Sequence, residues 1–144
     1  MYREFEGIAC VGDFWLRDRN TTISTETLER LHKQFLYKPL WVRKDLSGHT
    51  SWEVCNQIGT ITNCVMVGPQ MHVKGILHKH IPSHTSETLG LSIDTNLPNA
   101  DYSRRQYYGI HFGLKWKMDD FTPKGITLIY QHLAAIPFTT FNLC

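Results

Sequence analysis

The stretch IGTITNCVMVGPQMHVKGILH (58–78) constrains the chain most. It holds two β-branched runs, 58–67 and 71–78, separated by Gly-Pro-Gln, a turn signal that no helix tolerates. The spacing predicts an antiparallel hairpin. The other apolar runs are short and bounded by polar or Pro/Gly residues. GIACVGDFWLR (7–17), PLWV (39–42), TLGLSI (88–93), YYGIHFGLKWKM (107–118) and ITLIYQHLAAIP (126–137) all read as strands. STETLERLHKQFL (24–36) is the one strong helix signal, with Ser24 or Thr25 as cap and Leu28, Leu31, Phe35 and Leu36 on one face. Six or seven strands joined by tight turns, with an early helix, predict a mainly β fold with one or two helices. The expected form is a small, mostly antiparallel β-barrel.

A chain of 144 residues fits a single domain, 1–144, and its 42% hydrophobic content is that of a folded globule. The net charge of +2 argues against nucleic acid as partner, and no dense basic stripe reverses that. No apolar run approaches the ~20 residues of a membrane span. The opening MYREFEGIAC carries charge where a secretory leader needs an apolar run. Cys10, Cys55, Cys64 and Cys144 show no CxxC spacing and read as reduced thiols in structural roles.

Eight histidines invite a search for a metal or catalytic site. His78 and His80 would share a strand face, and with His72 and His84 they form the candidate metal cluster. HxH supplies only two ligands, and the cysteines are not placed to complete a site, so a polar hairpin edge explains the cluster as well. No cofactor is expected. His49 lies in LSGHTSW, a loop after the PLWV strand. His132 interrupts an apolar strand beside Tyr130 and Ala134, where a satisfied core histidine is the alternative. Ser92 stands near the end of the TLGLSI strand, with Asp94 close behind.

The order of these pieces resembles the superfamily of the herpesvirus capsid maturation protease (assemblin) and the tailed-phage prohead protease. GIACVGDFWLRD resembles the opening strand of assemblin. PLWVRKDLSGHTSWEVCNQIGTI resembles the block with Pro-Leu, a strand, a histidine and a glycine opening the next strand. LGLSID resembles the block holding the nucleophilic serine, and YQHLAAIPFTTFN the strand around the last catalytic residue. The motifs are short, but they cover most of the chain in the family's order of His, Ser, His.

The resemblance implies a serine endopeptidase that processes a capsid scaffold protein inside an infected cell, within the assembling capsid, with cleavage of its own chain and a homodimer as its assembly. Ser92 would be the nucleophile, His49 the general base, and His132 the residue that orients His49. The arginine-bearing, Gly-rich loop that helps form the family's oxyanion hole has no counterpart after His132. Arg104 and Arg105 are substitutes by charge alone. A non-enzymatic β-barrel is the competing class: Tyr102, Arg104, Arg105, Tyr107 and Tyr108 combine basic and stacking groups that a protein or nucleic-acid partner could use.

Overall fold

The computed structural model describes residues 3–16, 21–43, 46, 57–81, 88–96, 105–110, 113–134, 136 and 138–144. In chain order its strands are β1 (Arg3–Val11), β2 (Trp15–Leu16), β3 (Thr21–Ile23), β4 (Pro39–Val42), β5 (Gln57–Val67) and β6 (Gln70–Leu77). They continue with β7 (Leu89–Asn96), β8 (Arg105–Ile110), β9 (Gly113–Met118), β10 (Thr122–Tyr130) and β11 (Asn142–Leu143). Among the described residues one α-helix, α1 (Thr25–Leu31), lies between β3 and β4.

The hairpin of 58–78 is present as β5 and β6, joined at Gly68, whose φ of 59° is the left-handed conformation that glycine takes without strain. It sits at the centre of a seven-stranded sheet ordered β11-β1-β6-β5-β4-β10-β7. All neighbours in that sheet are antiparallel except β4 and β10. The sheet curls into a half-barrel, in line with the mainly β, mostly antiparallel fold expected from strands joined by tight turns. A smaller sheet, β2-β3-β9-β8, brings Ile23 and Met118 into the same core as Phe5, Leu28, Leu40, Ile61, Leu91 and Ile126.

Helix α1 begins where the sequence places it. The Ser24 side chain accepts a hydrogen bond from the Thr27 N–H at 3.1 Å, satisfying one of the orphan donors of the first turn. The α-helical turns stop at Leu31, and a 3-10 turn over His32–Phe35 carries Phe35 into the core.

Three strand predictions need correction, and the first is the run 7–17, which is broken after Val11 into β1 and β2. The run 107–118 is two strands, β8 and β9, that pair with each other. The last strand starts earlier and ends earlier than its apolar pattern suggests, at Thr122 and Tyr130. Pro123 is tolerated because the β10–β7 register shifts between Pro123 and Gly125, so the missing N–H falls at an irregularity.

Candidate functional site

Ser92 is not at a strand end: β7 runs on to Asn96. Leu91 belongs to the core and Ile93 packs against it, so alternation turns Ser92 and Asp94 to the opposite face of the sheet. Across the β7–β10 pair, Ser92 stands opposite Thr127, and Thr127 stands beside Trp41 on β4. Thr127 donates its hydroxyl hydrogen to Asp94 Oδ2 at 2.6 Å. The group is buried although it faces away from the core: Ser92 and Asp94 are 7% exposed and Thr127 0%. Asp94 therefore finds its partner on the neighbouring strand. The sequence signal for Thr127 was a lone hydroxyl inside the apolar ITLIY.

His132 does not lie within a strand. Beyond Tyr130 the chain makes a 3-10 turn over Gln131–Leu133, and His132 is exposed there, its ring stacked on Tyr130 with centroids 5.8 Å apart. The cause is Gln131. Its backbone N–H donates to the Thr88 carbonyl at 3.0 Å, and its side-chain amide turns to the Thr139 carbonyl. The strand ladder ends on those bonds. Five positions separate His132 from Thr127, the partner of Ser92, so its backbone is on the order of 10 Å or more from Ser92.

His49 lies outside the described residues, as do His84, Arg104, Tyr102 and Cys55. The chain leading to His49 is described at Leu46, which is fully buried. The Leu46 N–H donates to the Arg43 carbonyl at 3.1 Å, and the Leu46 carbonyl accepts from the Tyr130 N–H at 3.2 Å. Leu46 has a φ of 54°, a conformation that costs a non-glycine residue about 1–2 kcal/mol. Nothing in the sequence marks Leu46 or its tie to Tyr130.

Arg105 opens β8 opposite Met118, in the smaller sheet, and Tyr107 and Tyr108 follow it there. The hairpin histidines are placed differently from a shared strand face, and His84 is outside the described residues. Strand β6 ends at Leu77, so His78 and His80 lie beyond it and do not share a strand face. His72 is near the other end of β6 with its Nε2 against Gln70 Oε1 at 3.0 Å, while His78 Nε2 meets Thr60 Oγ1 at 2.9 Å. Among the described residues no three His, Cys, Asp or Glu side chains are grouped to hold a metal ion. Burial pushes the Cys10 and Cys64 thiols up to about 12, which keeps both protonated near neutral pH and suits a structural role.

No family model, curated protein or solved structure matches this chain.

Proposed function

We propose that the protein is a serine endopeptidase in which Ser92 attacks a peptide carbonyl, His49 takes and returns the proton, and His132 orients His49. The observation that carries the reading is the hydrogen bond from the Tyr130 N–H to the Leu46 carbonyl. It ties the chain three residues before His49 to the strand end two residues before His132. Leu89, which opens the strand bearing Ser92, is in register with the same Tyr130. Three chain segments that each carry one member of the group thus meet at one end of β4, β10 and β7.

The separation of Ser92 and His132 agrees with these roles. The orienting residue contacts the base, not the serine. An imidazole bridging two hydrogen bonds of ordinary length spans about 8 Å. From Leu46, three extended residues reach about 10 Å. Ser92 is nearly buried, which favours a slow, selective peptidase over a rapid degradative one. The setting, cleavage of a scaffold protein in an assembling viral capsid, rests on the resemblance of the four motifs.

A fluorophosphonate tests the reading because it is smaller than a peptide. The expected result is one adduct, mapped to Ser92, that disappears in His49→Ala and slows in His132→Ala. A folded protein that leaves Ser92 unlabelled, or that labels equally well without His49, overturns it.

A further inference from the structure

A second site lies on the same rim of the half-barrel. A cavity of about 200 Å³ is floored by Leu77, Ile81 and Leu143 and edged by Arg3, Lys79 and His80, with His78 beside them. Among the described residues no acidic side chain lines it. Arg3, Lys79 and His80 are exposed, and among the described residues their side chains form no ion pair or hydrogen bond. Glu4, the next residue on β1, turns to the other face and lines a different hollow with Glu6 and Lys74. Three unpaired basic side chains around an apolar floor are complementary to a carboxylate carried beside an aliphatic group. The cavity holds one or two side chains.

The strand registers fix where this cavity stands. Arg3 pairs with Leu77, Leu77 with Gly59, and Gln57 with Trp41. Val42 is beside Leu128, and Tyr130 is opposite Leu89. The ends of β6, β4 and β10 and the starts of β1, β5 and β7 therefore form one rim. From β6 to β7 is four strand spacings along the sheet, and the curl also brings β1, which carries Arg3, back against β7.

Resting on the peptidase reading for the substrate, we infer that the Arg3–Lys79–His80 cavity binds an acidic residue flanked by an aliphatic one, apart from the bond that Ser92 cleaves. The site selects acidic peptide segments as substrates. It holds them by charge and by the apolar floor, away from the reacting atoms.

The test is binding, read separately from cleavage. A fluorescein-labelled ten-residue peptide with Leu-Asp-Asp at its centre is titrated by anisotropy into the Ser92→Ala protein. Its counterpart has Asn at both acidic positions. The Asp peptide should bind about tenfold tighter, and adding Arg3→Gln with Lys79→Gln should remove that advantage, as two charge contacts of modest strength would. Lys33→Gln, at an exposed lysine on the 3-10 turn after α1, should leave it intact. Equal binding of the two peptides, or an unchanged preference in the Arg3/Lys79 variant, overturns the inference. So does stronger binding of a ten-residue oligothymidylate at the same cavity. An intact acidic preference in a protein whose Ser92 resists the fluorophosphonate would sink the peptidase reading but keep the cavity's specificity. Labelled Ser92 without acidic preference would do the reverse.

Discussion

Thr127 and Asp94 share a 2.6 Å hydrogen bond on a buried face, joining β10 to β7 at the level of Ser92. The bond gives a buried carboxylate a hydroxyl donor and holds together the two strands nearest the proposed nucleophile. Thr127→Val keeps the shape and deletes the donor. It should lower stability by about 1–3 kcal/mol in urea unfolding. Asp94→Asn should couple to it in a double-mutant cycle by about 0.5 kcal/mol or more. Strictly additive losses would mean that the bond contributes little.

Leu46 should matter to the site beyond its share of the core. Leu46→Ala empties a fully buried position and should cost about 2–5 kcal/mol. Leu28→Ala, also fully buried but on α1, serves as the comparison of similar cost. Under conditions where both variants are folded, Leu46→Ala should slow fluorophosphonate labelling of Ser92 on the order of ten- to hundred-fold, and Leu28→Ala should not. Equal labelling rates would separate Leu46 from the chemistry.

At Gly90 a Cβ atom would lie 2.5 Å from Thr139 Oγ1. The Thr139 hydroxyl is itself buried and has no hydrogen-bond partner among the described residues. Gly90→Ala should therefore destabilise by about 1–3 kcal/mol through overpacking. Thr139→Ala removes the atom in the way without sacrificing a bond, so it should recover much of that loss in the Gly90→Ala background. Thermal melts of the two single variants and the double variant would show the compensation, and a simple sum of losses would contradict it.

Alkali should weaken the fold through Cys10. Burial raises its thiol from 9.0 to about 12, so below pH 9 it is protonated in both folded and unfolded chains and pH has no effect through it. Above pH 9 the unfolded chain releases the proton and the folded chain holds it. Stability then falls by up to about 1.4 kcal/mol per pH unit until the folded thiol also ionises. Unfolding free energies from pH 8 to 11 should decline less steeply in Cys10→Ala than in the parent. Identical slopes would show that the thiol is reached by water.

The hairpin 58–78, the Ser24 cap and the short PLWV strand were legible because each is a local pattern, of alternation, capping or punctuation. Ser92 was legible as a hydroxyl in a strand, but its face depended on β7 continuing through polar Asp94, Thr95 and Asn96, which alternation alone undervalues. His132 was misplaced because ITLIYQHLAAIP stays apolar past the end of the ladder. What stops the strand is the pull of Gln131 toward Thr88 and Thr139, contacts made by residues distant in the chain. The Leu46–Tyr130 tie leaves no trace in composition or spacing, since it joins two backbone groups.

The segment from Thr139 to Cys144 touches both ends of the curl. Thr139 rests on Gly90 of β7, the Thr140 N–H and hydroxyl bond the backbone of Ile8 at 3.0 Å each, and the Cys144 N–H reaches the Glu4 carbonyl at 3.0 Å. One short strap thus bridges β1 and β7 where the two strands come together. Any partner or cleavage that loosened it would strip β11 from β1 and leave that edge's backbone groups unpaired. That edge would then be offered to a neighbouring chain.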